Sequence, residues 1–206
     1  MEKQTFLEQK SVSNYYINQK GEKMKNILSF LLVILFVSFV NAQTETAKKP
    51  HSFVGTAACG MCHKSEKQGK QLDIWSNSKH AQAFKTLQSK EADAIATEKG
   101  FKTPAAKTEA CLKCHAAGYN ADASLLGAKF KVEDGVQCES CHGAGSDYKD
   151  MKVMKNKEDA ISKGLTAHAD VEKFCVTCHN NESPSFKGFK YDEMWAKIKH
   201  SIPEAK

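Results

Sequence analysis

Apolar residues run together only once in this chain of 206 residues. Residues 27–40 are almost unbroken hydrocarbon, with Lys23 and Lys25 ahead and Val40-Asn41-Ala42 behind. A basic flank, a short apolar run and small residues at its end make the plan of a cleaved secretory signal. The run falls short of the ~18 residues expected of a membrane span; an uncleaved N-terminal anchor is the alternative. Cleavage after Ala42 leaves Gln43 as the new terminus and places the mature chain in the periplasm. No cysteine follows the run, so a lipoprotein anchor is not expected. Residues 1–23 are polar and read as an extension upstream of a true start at Met24. The expected organisation is therefore extension (1–23), signal (24–42), linker (43–54) and one functional domain (55–206).

Elsewhere the pattern is broken into short helical stretches. Trp75, His80, Phe84 and Leu87 fall at helical intervals, so 65–99 is read as helical, with Asn77 or Ser78 as an N-cap. Pro104 makes 100–110 a loop. Residues 155–174 have room for one or two short helices. Tyr191, Met194, Trp195 and Ile198 form a last amphipathic stripe, starting near Asp192 and extending to His200. Strand signals are weak. The expected class is mainly α, short helices and loops with little or no sheet.

The chemistry lies in one repeated pentapeptide: Cys59-Gly-Met-Cys62-His63, Cys111-Leu-Lys-Cys114-His115, Cys138-Glu-Ser-Cys141-His142 and Cys175-Val-Thr-Cys178-His179. C-x-x-C-H is the attachment signature of c-type haem. Two thiols add across the porphyrin vinyl groups, and the histidine ligates the iron from the proximal side. The four copies use all 8 cysteines of the chain. Zinc ribbons, redox dithiols and disulfide frameworks also use paired cysteines. None of them explains a histidine after every pair. The domain at 55–206 is thus expected to wrap a stack of four covalently bound haems. Its own core would be thin, the flat porphyrin faces supplying apolar surface to bury, and the apoprotein is expected to be largely unfolded.

Charge changes this picture little. Without residues 1–42 the chain holds 25 Lys and 21 Asp+Glu, a formal +4. Eight propionates and four ferric haem centres bring the oxidised holoprotein near zero, so the basic sequence does not argue for nucleic acid. The lysines of 149–157 are a candidate patch for an acidic redox partner, or simply a solvated face. There is no arginine, hence no bidentate guanidinium clamp for an anionic substrate.

Beyond the four proximal histidines stand His51, His80, His168 and His200. Four spare imidazoles for four irons suggest bis-histidine ligation, which closes the iron and suits electron transfer. His80 lies among small alanines that let a porphyrin approach. His168 is seven residues before Cys175, and His200 closes the final stripe. Met61, Met151, Met154 and Met194 are weaker candidates, packing being their default role.

Several of these segments resemble the cytochrome c-554 family, tetrahaem proteins of nitrifying bacteria that accept electrons from hydroxylamine oxidoreductase. The resemblance runs from Gly55 to His200. It includes Ser78-x-His80-Ala81-x-Ala83-x-x-x-Leu87, Cys111-Leu-Lys-Cys114-His115-Ala-Ala-Gly118-Tyr119 and, most specifically, Gly135-Val136-x-Cys138-Glu139-Ser140-Cys141-His142-Gly143-x-Gly145. It implies three bis-histidine haems and a five-coordinate second haem, on His115. It also implies that His80 ligates the haem of another motif, that a histidine near His168 is a further distal ligand, and that the haems pack in close pairs. One departure matters: the family has a histidine shortly after the third motif that serves the first haem. Here Met151, Lys152 and Met154 stand in that region. His51, His200, a methionine or an open site remain for the first haem, and His51 is preferred.

The function these readings favour is periplasmic electron transfer between redox partner proteins, with a hydroxylamine oxidoreductase-like donor implied by the resemblance alone. No nucleic acid and no span in the mature chain are expected. The alternatives are a haem enzyme acting on nitric oxide or hydroxylamine at an open second haem, and a fixed subunit of a larger complex.

Overall fold

The computed structural model describes residues 49–203, so the extension and signal expected at 1–42, and most of the linker, lie outside the described residues. The chain divides between Lys49 and Pro50, and the architecture below is that of the unit beginning at Pro50.

That unit is mainly α, as the pattern implied. Among the described residues there are ten α-helices. They are α1 (Thr56–His63), α2 (Gln71–Ser76), α3 (Ala83–Thr86), α4 (Lys90–Glu98) and α5 (Glu109–His115). Then come α6 (Cys138–His142), α7 (Met151–Met154), α8 (Lys157–Ser162), α9 (Val171–Cys175) and α10 (Tyr191–Ile198). The only β-type pairing among them is an isolated parallel bridge between Phe53 and Leu126.

The stretch at 65–99 is helical in pieces rather than throughout. Gly69 (φ 93°) and Lys70 (φ 51°) turn the chain between the short Glu66–Gln68 turn and α2. Asn77 does not open a helix as expected. Its side-chain amide donates to Asp73 O at 2.8 Å and closes α2 instead. The N-cap falls later, at Ser89, whose hydroxyl accepts from Ala92 N and starts α4. Short polar side chains offer the backbone local partners that compete with helix continuation, so hydrophobic spacing alone ran past these breaks. The C-terminal stripe does form α10, but the helix stops at Ile198. Lys199 is extended (φ −59°, ψ 137°), and His200 lies beyond the helix, not on it.

Two small clusters form the core. Leu87, Ala96 and Ala105 pack with Leu112 and Cys111 behind α5, and Tyr148, Val153 and Ala160 pack with Met154 and Leu165 after α6. Alanine supplies much of the first. Long-range polar ties do much of the remaining organisation. Trp75 Nε1 donates to Val136 O at 2.9 Å, Val136 N to His80 O at 3.1 Å and Ala117 N to Gly135 O at 2.9 Å. Gly135 has φ 71°, and a Cβ there would sit 2.8 Å from His80 O. The close approach of the third motif's lead-in to His80 therefore requires glycine.

Candidate functional site

Helical spacing sets each motif. Residues at i, i+3 and i+4 share one face of an α-helix, so two thiols and an imidazole leave the same side. Helices α1, α5 and α6 each contain a whole motif. In the fourth, α9 ends at Cys175, and the turn is continued by Cys178 N and His179 N bonding to Cys175 O at 3.2 and 3.0 Å.

The motifs converge. All eight cysteines are free thiols, seven of them half-buried and Cys62 exposed. Cys59 lies close enough to Cys138 for each to perturb the other, and Cys114 is perturbed likewise by Cys178. Cys141 lies close enough to Cys175 and Cys178 to feel their charge. Proximity of the thiols thus relates the first motif to the third, the second to the fourth and the third to the fourth. Burial pushes Cys114 up to about 12 and Cys141 up to about 11, with the neighbouring cysteines adding to the shift. Cys59 is raised, chiefly by the neighbouring Cys138, which is itself lowered by Cys59.

Four of the eight histidines face one another in two pairs. The rings of His80 and His179 have centroids 6.0 Å apart, as do those of His142 and His200. A metal held between two ring nitrogens at about 2 Å each sets ring centres roughly 6 Å apart. Burial first, then the facing His179, lowers the pKa of His80. Burial followed by His200, His168 and His63 brings His142 down to about 4. Both are therefore neutral at ordinary pH, the form that binds metal.

Elsewhere one ring nitrogen is occupied and the other left over. Nδ1 bonds to Gln71 Oε1 in His63 (2.6 Å), to Ala83 O in His115 (2.8 Å) and to Ile198 O in His200 (2.7 Å). Such bonds fix ring orientation and tautomer in metal-ligating histidines. His51 Nδ1 bonds to Asp147 Oδ2 at 2.7 Å, and the ring lies against Gly164 (φ 104°), where a Cβ would come within 2.8 Å of it. His168 differs, because Nε2 bonds to Cys141 O at 2.8 Å and its ring stacks on Phe174 at 3.9 Å. Among the described residues no histidine ring pairing involves His115.

Three of the methionine candidates lie on the surface: Met61, Met151 and Met194 are 68%, 63% and 41% exposed. Met154 packs against the Tyr148 cluster. Sequence reasoning missed Gln71, Asp147 and Glu139, which hold His63, His51 and the N-terminal lead-in respectively. Their contacts span 8, 96 and 84 residues, so local spacing carried no sign of the last two.

These features fit a haem. The thiols are unpaired, the imidazoles are spaced for a metal between them, and the core is thin. The buried atoms Ser78 Oγ, Gln137 Oε1 and Ser140 Oγ have no hydrogen-bond partner among the described residues; Ser140 stands between the two thiols of the third motif. A zinc ribbon needs its donors gathered in one cage, and among the described residues no three His, Cys, Asp or Glu side chains gather so.

Comparison with known proteins gives the same direction. A family model described as "Cytochrome c554 and c-prime" matches residues 58–143. Cytochrome c-554 of Nitrosomonas europaea is 26% identical over 202 residues, covering 82% of each chain. No solved structure matches.

Proposed function

Because this chain belongs to the cytochrome c-554 family, and so is a c-type cytochrome of electron transfer, we propose that it is a periplasmic carrier with four haems. The facing of His80 by His179 and of His142 by His200, each pair joining a motif's histidine to one outside the motifs, is the observation that carries this reading. Each haem, when bound, supplies a one-electron ferric/ferrous couple. The chain supplies the rest. Cys59 and Cys62, Cys111 and Cys114, Cys138 and Cys141, and Cys175 and Cys178 hold the porphyrins. His63, His115, His142 and His179 are the proximal ligands. His80, which faces His179, and His200, which faces His142, would hold those irons from the other side; His51 is the candidate for the first iron, and His168, bonded to Cys141 O, would be a further distal ligand. Bis-histidine ligation closes an iron to substrates, and the protein then sets potential, spacing and docking.

Export by the segment at 24–42 agrees with periplasmic residence, where haem c is normally attached. Among the described residues no helix is long and apolar enough to cross a membrane. Donor and acceptor are redox proteins, and a hydroxylamine oxidoreductase-like donor follows from the resemblance alone.

A second reading, turnover of nitric oxide or hydroxylamine at the second haem, rests on His115 having no facing imidazole among the described residues. Electron paramagnetic resonance of the oxidised holoprotein, before and after nitric oxide, separates the two. Low-spin ferric haem unchanged by nitric oxide leaves the carrier alone. A high-spin signal abolished by nitric oxide marks an open iron and calls for turnover assays.

A further inference from the structure

The signature C-x-x-C-H leaves two positions free, and in the third motif one of them is Glu139. It is 3% exposed, although glutamate is almost never fully buried unless paired. Oε1 accepts from Val54 N at 2.8 Å and Gly145 N at 2.7 Å. Oε2 accepts from Gly55 N at 2.8 Å and Gln137 Nε2 at 3.2 Å. All four partners are neutral donors, which suits the acceptor-only ionised carboxylate. The donors also join three segments. Residues 54–55 lead directly into α1 and the first motif, Gln137 precedes α6, and Gly145 follows it. Helices α1 and α6, which carry Cys59 and Cys138, pack against one another beside this clamp.

We propose that Glu139 is a positioning residue for electron transfer. It locks the first and third attachment helices side by side, and its buried negative charge favours the ferric over the ferrous state at both. A charge in a low-dielectric interior acts over longer range than one at the surface, and Glu139 lies in the same motif as His142. The inference rests on the four-haem reading above.

Potentiometric titration of the holoprotein tests it, with haem content counted by intact mass. E139Q keeps the side chain's shape and removes the charge. It is expected to retain four haems while two of the four redox steps move upward. At fixed applied potential the ferrous-to-ferric ratio of those two haems rises about tenfold, 59 mV for a one-electron couple. E139D keeps the charge and is expected to leave the potentials within about twofold of wild type. Four loaded haems with unmoved potentials in E139Q overturn the proposal, as does an equal shift in E139D. Should E139Q fail to load haem, amide hydrogen exchange of the wild-type holoprotein decides. Protection of Val54, Gly55 and Gly145 at the level of the helices supports the clamp, and exchange at loop rates overturns it. A wild-type protein without haem would instead overturn the functional reading on which the inference rests.

Discussion

Removing one oxygen from Tyr148 should weaken the protein at neutral pH and spare it from part of its alkaline loss. Tyr148 is 7% exposed and packs with Val153 and Ala160. Its hydroxyl donates to Gly143 O at 2.7 Å, across the turn that ends α6. In Tyr148→Phe the packing stays and the carbonyl loses its partner, at a cost of about 1–2 kcal/mol. The phenol's pKa is raised above its ordinary value near 10, first by burial and then by negative charge at Cys59, Glu139 and Cys138. Thioether formation removes the two cysteine charges and leaves burial and Glu139. The sign follows directly. Below pH 10 the phenol is protonated in both states and contributes no slope. Above pH 10 the unfolded chain releases this proton and the folded one keeps it, so stability falls as pH rises. The slope approaches about 1.4 kcal/mol per pH unit. Phenylalanine lacks this loss. The gap between the two proteins should therefore stand at about 1–2 kcal/mol at pH 7 and close to nearly nothing by about pH 11. Urea unfolding of both holoproteins, followed by Soret circular dichroism from pH 7 to pH 11, measures it. A gap that stays constant or widens above pH 10 would refute the reasoning.

Other perturbations follow from the same contacts. His80→Gly removes the ring facing His179. It should turn one haem in four high-spin, and added imidazole should restore the low-spin spectrum. Gly164→Ala pushes a Cβ toward His51 at a positive φ, so it should alter the ligand-field spectrum of a single haem, read by electron paramagnetic resonance. Trp75→Phe loses the bond to Val136 O and should lower stability by about 1 kcal/mol in urea titration. Leu87→Ala opens the core behind α5, where Leu87 is 5% exposed. A loss of about 2–5 kcal/mol is expected in the same assay.

The local geometry of each motif was legible in the sequence because it is set within a few residues. Three of the four pentapeptides sit whole on single helices, and the spacing that names the motif also gathers its side chains on one face. The stripe of Tyr191 and Trp195 likewise became α10. What the sequence hid is what depends on distance along the chain. The facing of His80 by His179, and of His142 by His200, joins residues far apart in sequence. The bond of His51 to Asp147 spans 96 residues. Helix ends at Asn77 and Ile198 were set by polar side chains and backbone turns, to which hydrophobic periodicity is blind. Glu139 illustrates the limit best. In the sequence it fills a variable position of a motif, and only the fold brings three backbone amides to it.

Intact mass spectrometry of the protein purified from the periplasm tests the central claim most directly. The expected protein begins at Gln43 and carries four haems, with no thiol left for an alkylating reagent. Fewer than four haems, or reactive cysteines in the mature protein, would contradict it.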